Sequence, residues 1–267
     1  MRQHLIVSDL DSTLLNAEHR IDDLTRETLR KLSAQGHVIA LASGRHYRDI
    51  ALFRRRLEIP AWLISSNGAY VHDPEDNLVS EALVPPTQAE ALTALPRPRD
   101  VRLNLYTRER WLIDAEAPAL LKLHATTGFT YEVADLAAAA VGEPVSKVLY
   151  IGEPSALAPI EQTLRERFAE SLHVTYSAAD SLEIMGQGVN KAMALTRVLA
   201  ALDMEPTQTL AFGDNFNDVE MLTLSGHAFV VDNAHPRVID QLPQATRIGA
   251  HNELGVARAL RAFFDLD

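Results

Sequence analysis

Cysteine is absent from all 267 residues, which excludes disulfides, thiolate zinc sites and thiol catalysis. No apolar run approaches membrane-spanning length, and the N-terminus has no charged segment followed by a long apolar stretch. A cytoplasmic chain without membrane contact is the expectation. Positive charge is also scarce: 25 Lys and Arg face 36 Asp and Glu, for a formal charge of −11 and a pI near 5.4. That balance opposes nonspecific attraction to nucleic acid or anionic membrane, so neither is an expected partner, and no protein partner is indicated. An anionic substrate would need a local basic pocket, because the global field works against it.

The rest of the composition is that of an ordinary globular protein, 47% hydrophobic and 23% charged. The length allows one large domain or two modest ones. The stretch that organises the chain runs from His4 to Leu15. There a short apolar run, Leu5 to Val7, stops at Asp9 and Asp11, with Thr13 two residues on. Such a run suits a strand buried on both faces at the centre of a parallel sheet, and ligands gather beyond the carboxyl ends of such strands. Two acids at that edge repel each other and lose water, so a hard divalent cation is the natural compensation. An ordinary alternative makes Asp9 a turn cap and Asp11 a solvated loop acid.

Further along, a helix over about residues 22–35 precedes a second buried strand, 37–42, that ends in Ser43-Gly44-Arg45. Ser43 and its neighbours can offer a hydroxyl and N–H groups to an anion, or Ser43 can simply cap the helix expected over 46–57. A third strand, 61–65, ends in Ser66-Asn67-Gly68, where Asn-Gly is also a hairpin signal. From Leu83-Val84-Pro85-Pro86 the pattern changes to an α+β mixture. Helices are expected over 88–95, 117–126 and 156–169, and strands over 101–107, 111–114, 130–133, 145–151 and 172–176. Asn104, Tyr106, His124 and Lys147 are polar residues in or beside apolar elements of this region, and packing or surface exposure accounts for each. The chain then returns through Leu182 to Gly188.

Lys191 opens the next helix, where a cation opposes the helix dipole unless an anion sits beside it; a solvated lysine is the alternative. A strand over 209–212 ends in Gly213-Asp214, followed by Asn217 and Asp218 in the first turn of a helix. Capping explains Asp218 alone, but not Asp214 and Asp218 together at an edge that already holds two acids. A last strand, 228–231, leads to a final helix near 254–264. Asp9, Asp11, Ser43, Lys191, Asp214, Asn217 and Asp218 would thus share one crevice. A Mg²⁺ complex of a phosphorylated substrate suits that mixture.

Asp9-Leu10-Asp11-Ser12-Thr13, Ser43, Lys191 and Gly213-Asp214-Asn215-Phe216-Asn217-Asp218 resemble, in order, the four motifs of the haloacid dehalogenase (HAD) superfamily of phosphatases. Ser43-Gly44-Arg45, Ser66-Asn67-Gly68 and the large insert are similar to its Cof-type branch. Within the insert, Pro118 to Lys122 and Gly128 to Tyr131 resemble that branch's phosphatases of hydroxymethylpyrimidine pyrophosphate. The resemblance implies an α/β fold, a Rossmann-like parallel core of residues 1–82 and 184–267, with an α+β cap (type C2B) of residues 83–183.

It also implies Asp9 as nucleophile and Asp11 as general acid and base. Mg²⁺ would be held by Asp9, Asp214, the Asp11 backbone carbonyl and Asp218, directly or through water. Ser43, Gly44, Lys191 and Asn217 would bind phosphate, and Arg45 and Asn67 would contact substrate or cap. The substrate would be a small phosphorylated metabolite: a pyrimidine pyrophosphate, pyridoxal phosphate or a sugar phosphate. A phosphomutase and a non-catalytic phosphometabolite-binding protein are the competing readings, though the latter usually lacks one of the first two acids. Ser12 in place of the usual Gly, and Asp232-Asn233 in place of Gly-Asn, depart from the pattern without removing a catalytic group.

Overall fold

The computed structural model describes residues 3–266. Strands β1 (Leu5–Ser8), β2 (Val38–Ala42), β3 (Ala61–Ser65), β4 (Tyr70–His72) and β5 (Leu78–Glu81) come first in the chain. The next six are β6 (Arg102–Thr107), β7 (Trp111–Ile113), β8 (Glu132–Val133), β9 (Val145–Ile151), β10 (Leu172–Ala178) and β11 (Ser181–Gly186). The chain closes with β12 (Thr209–Gly213), β13 (His227–Val231) and β14 (Thr246–Ile248). One sheet has the order β14-β13-β12-β1-β2-β3-β4-β5, and the other β10-β11-β9-β6-β7-β8.

In the first sheet β1 pairs in parallel with both β2 and β12, and only β4 and β5 add antiparallel edges. Its apolar runs are continuous because both faces are covered. Leu5 and Val7 enter a cluster with Ala40, Leu195 and Val198, while Ile6 enters the opposite one with Ile39, Leu41 and Phe53. Phe53 comes from helix α2 (Tyr47–Leu57), and helix α1 (Asp23–Ala34) adds Leu29 and Leu32 to the same cluster. The chain leaves β1 toward β2 while β12 lies on its other side, which opens a crevice beyond their carboxyl ends.

The second sheet follows a period of two. Leu103, Leu105, Val148, Tyr150, Leu182 and Ile184 fill its own core. The alternate residues Tyr106, Lys147, Leu149, Ile151, Ser181 and Glu183 face the crevice instead. Strand β11 continues to Gly186, so the boundary expected between residues 183 and 184 falls inside a strand. The two connecting segments run side by side: a Cβ on Gly186 would lie 2.7 Å from the Leu83 carbonyl oxygen.

Several local expectations change. Residues 117–126 form only a 3₁₀ stretch, Pro118–Lys122, followed by turns. None of that stretch is buried, so no apolar stripe supports a full helix. The strand expected over 130–133 contracts to Glu132–Val133, and the helix expected over 88–95 begins at Pro86, where proline suits the first turn. Helix Leu136–Gly142 and strands β4, β5 and β14 were not anticipated; each is short.

His46 ties the two sheets together. Its Nδ1 accepts from Arg48 N at 3.1 Å, and its Nε2 donates to Thr107 O at 3.1 Å. The contact with Arg48 requires the neutral ring, whereas the Nε2 donor survives protonation; burial is the larger effect and lowers the ring's pKa from 6.5 to about 4. The unfolded chain therefore binds a proton that the folded chain refuses, so stability is intact above pH 6.5 and falls as pH drops toward 4. The loss attributable to this ring is roughly 3 kcal/mol at 1.36 kcal/mol per pKa unit. Urea unfolding at stepped pH should show that slope in the wild type and a flatter one in His46→Gln; equal slopes would refute the assignment.

Candidate active site

After β1 the backbone makes one wide turn, Leu10–Leu14, closed by Leu15 N donating to Leu10 O at 2.8 Å. Ser12 sits in this turn at φ 60°, with its side chain exposed. A serine is accommodated there at a cost of about 1 kcal/mol relative to glycine. The turn buries Thr13, whose Oγ1 donates to Asp214 Oδ1 at 2.7 Å. Asp232, the other departure, pairs with Arg247 at 2.8 Å, so the added charge at the rim has a counter-ion. Asn233 donates to the Ser12 carbonyl at 2.8 Å and holds that turn from outside.

The insert carries α3 (Pro86–Thr93), α4 (Leu136–Gly142) and α5 (Pro154–Phe168), and Lys191 opens the next helix, α6 (Lys191–Leu202), in the first sheet's layer. The lysine is fully buried, and Nζ donates to Asp9 Oδ1 and Asp218 Oδ1, both at 2.6 Å. Burial lowers its pKa, but the two carboxylates outweigh burial and raise it above the ordinary lysine value. A solvated surface position is thereby excluded. Asp218 Oδ2 accepts from the backbone N–H groups of Asp214 and Asn215 at 3.0 and 3.1 Å. This fold-back needs Gly213, because a Cβ there would lie 2.6 Å from the Asp218 Cβ. Asp218 thus caps its turn and also pairs with Lys191.

Carboxylate oxygens of Asp9, Asp214 and Asp218 lie within 4.8 Å of one another, all three residues being buried. One lysine against three buried acids leaves uncompensated negative charge. Burial and then the neighbouring Asp218 push Asp214 up to about 7, and burial pushes Asp9 well above the usual carboxylate range despite Lys191. Among the described residues, no hydrogen-bond donor reaches Asp9 Oδ2 or Asp214 Oδ2. Two open hard oxygens beside excess negative charge suit a hard divalent cation.

The Asp11 carboxylate stands apart from this trio. Arg45 Nε and Nη2 hold its two oxygens at 2.7 and 2.6 Å. Burial would raise its pKa, but the paired hydrogen bonds and charge of Arg45 take it below the ordinary carboxylate range. Its side chain keeps 31% of its surface open, toward the crevice. Ser43 is buried and accepts from Arg45 N at 3.1 Å; the cap of α2 is His46, so helix capping does not explain Ser43. Asn67 Oδ1 accepts from Asn217 at 3.0 Å, and its amide donates to Glu183. The Asn-Gly turn thus joins β3 to β4 and also delivers a side chain to the site.

The structure therefore brings Asp9, Asp11, Ser43, Gly44, Arg45, Asp214 and Asn217 to the wall of a crevice of about 480 Å³, with Lys191, Asp218 and Asn67 directly behind them. Expectations for the insert were incomplete. Lys147 is buried, and Nζ donates to Gly44 O at 2.5 Å and Glu183 Oε1 at 2.9 Å, 4.3 Å from the centre of the Tyr106 ring. His124 and Tyr106 also line the crevice, whereas Asn104 packs as expected by accepting from Trp111 Nε1 at 2.8 Å. The available signal was the shared phase of polar residues on otherwise apolar strands.

Acids beyond β1 and β12, a hydroxyl beyond β2 and a buried lysine at a helix start thus meet at one edge of the first sheet. Residues 6–260 match the haloacid dehalogenase-like hydrolase family, and the chain belongs to it. A putative phosphatase of Haemophilus influenzae is 37% identical over 265 residues, covering 98% of this chain and 97% of that protein. An HMP-PP phosphatase of Cronobacter sakazakii is 32% identical over 257 residues, covering 96% and 94%. A solved haloacid dehalogenase-like hydrolase of Bacteroides thetaiotaomicron superposes with a TM-score of 0.86 at 27% identity, covering 98% of this chain and 100% of that one.

Proposed function

We propose that this chain is a Mg²⁺-dependent phosphatase of small phosphorylated metabolites, with residues from about 84 to 186 acting as a cap over the crevice. The observation that carries the reading is the buried trio of acids around Lys191, with one open oxygen on Asp9 and one on Asp214. Asp9 is the nucleophile: a carboxylate oxygen attacks phosphorus and the bond to the leaving oxygen breaks, leaving an aspartyl-phosphate. Lys191 orients the Asp9 carboxylate through Oδ1 and places a positive charge beside the phosphoryl group. The Ser43 hydroxyl donates to a phosphoryl oxygen, and Asn217 supports the same group.

Asp11, facing the crevice, is held ionised by Arg45 in the substrate-free protein and takes up a proton as the phosphorylated substrate brings its negative charge beside it. It delivers that proton to the leaving oxygen, and later takes one from water as it opens the aspartyl-phosphate. A Mg²⁺ ion held by Asp9 and Asp214, supported by Asp218, would neutralise charge on the phosphoryl oxygens. On the cap side, Tyr106, Trp111, Leu120 and Leu149 form a largely apolar wall, with Glu183 and Lys147 beneath. That wall suits a single-ring leaving group. Together with the relatives that act on HMP-PP, it favours hydroxymethylpyrimidine pyrophosphate over sugar phosphates.

The test is phosphate release from hydroxymethylpyrimidine pyrophosphate, pyridoxal phosphate and sugar phosphates, with Mg²⁺ and with EDTA. Ring phosphates should rank first, with free phosphate as the product and no turnover in EDTA. Transfer of phosphate to a second substrate hydroxyl would indicate a mutase instead. Mg²⁺ should also raise the thermal midpoint, by an amount corresponding to about 2.7 kcal/mol at a hundredfold excess over Kd. Burial and the neighbouring Asp218 push the Asp214 carboxyl up to about 7, so protons compete with the metal there and this stabilisation should shrink below pH 7. Asp214→Asn should remove it; an unchanged Mg²⁺ response in that variant would discard the assigned ligand.

A further inference from the structure

Arg45 has a second set of contacts that Asp11 does not account for. Its side chain is 3% exposed; Nη1 donates to Asp49 Oδ2 at 2.8 Å, and Nη2 also meets the Leu123 carbonyl at 3.0 Å. Asp49, on α2, is completely buried and accepts two further bonds, from His124 Nδ1 at 2.7 Å and from Thr127 Oγ1. Leu123, His124 and Thr127 all belong to the insert, in the turns after Pro118–Lys122. His124 is wedged against the Trp111 ring at 4.8 Å and the Phe129 ring at 5.8 Å, so its donor points one way.

We propose that His124 and Thr127 are positioning residues, which set the Asp11 carboxylate through Asp49 and Arg45, so that the general acid and base is in place only while the insert is shut. The proposal rests on the phosphatase reading. The physical reason is the planar fork of the guanidinium. Arg45 grips Asp11 with one edge and Asp49 with another, so whatever fixes Asp49 fixes the plane presented to Asp11. A fully buried carboxylate with one partner is poorly compensated; with three it holds its rotamer. When the insert lifts, Asp49 loses two donors and gains water, and Arg45 loses the Leu123 carbonyl. The guanidinium is then free to turn, and Asp11 with it.

The test separates this role from simple support of the insert by varying the leaving group. Departure of 4-nitrophenolate needs no acid, whereas departure of a simple alkoxide does. We compare kcat/KM, which reports the steps up to leaving-group departure, for 4-nitrophenyl phosphate and an alkyl phosphate. The proteins are the wild type, His124→Phe, Thr127→Val and His124→Asn, the last retaining a donor near the position of Nδ1. His124→Phe should lose about thirtyfold or more on the alkyl ester and under about threefold on the aryl ester, within the range of general acid catalysis. Thr127→Val should show the same bias to a smaller degree, and His124→Asn should recover most of the loss.

With the aryl ester, His124→Phe should also show a burst of 4-nitrophenol, because the step that needs Asp11 as base has slowed. Equal losses on both esters, no burst, or an asparagine variant no better than phenylalanine would overturn the positioning role while leaving the phosphatase reading standing. A wild-type protein that hydrolyses neither ester in Mg²⁺ would overturn that reading and this one with it. Thr127→Val exchanges the hydroxyl for a methyl of similar size, so it still decides the matter if His124→Phe fails to fold.

Discussion

Asp9→Asn is expected to lower phosphate release by at least about 10⁴-fold, as loss of a nucleophile does, while making the metal-free protein more stable. Asparagine keeps the shape of the side chain and cannot form the acyl phosphate. It also removes one of three buried negative charges that share a single lysine, and Lys191 keeps its partner in Asp218 at 2.6 Å. Thermal melts in EDTA should therefore rise for the variant. In Mg²⁺ the order should reverse, since the variant has lost one of the two open oxygens. Acid quenching with labelled substrate should trap phosphate on the wild type and none on the variant. A variant that retains a hundredth of the wild-type rate would dismiss Asp9 as the nucleophile.

Lys191→Met is expected to act in the opposite direction on stability. Removing one partner of a buried charge cluster and leaving the others typically costs 3–5 kcal/mol, roughly, and here two carboxylates are abandoned together. Methionine fills much of the lysine volume, so a cavity contributes little. Urea unfolding in EDTA should show that loss. Turnover should fall by about 10³ even where the variant is folded, because the positive charge beside the transferring phosphoryl group is gone. Opposite signs for Asp9→Asn and Lys191→Met are the diagnostic outcome. If both destabilise equally, general loss of packing is the better explanation.

The acids and the lysine were legible because each follows a strand end or opens a helix, and apolar runs mark strand ends directly. Leu5 to Val7 points to Asp9, and residues 209–212 point to Asp214. Ser43 was ambiguous until His46 proved to be the cap of α2. The network around Asp49 was harder to see, although Arg45 and Asp49 are four residues apart across the start of α2, a spacing that pairs side chains. Its other half comes from 75 and 78 residues away, in turns that carry no periodic signal. Lys147 reaches Gly44 across 103 residues for the same reason. The short strands β4, β5 and β14 were missed because three or four residues hold too little pattern to separate a strand from a loop.

The meeting of Leu83 and Gly186 shows how such a chain could have been assembled and how it could be rebuilt. Entry and exit of the insert touch, so a foreign module with closely spaced ends could be spliced between them without moving any residue that surrounds Asp9. On the proposed function, the inserted sheet brings the walls that meet the leaving group, while the chemistry stays with the host. Swapping inserts among relatives should therefore exchange preference and retain rate, provided the donor supplies equivalents of His124 and Thr127.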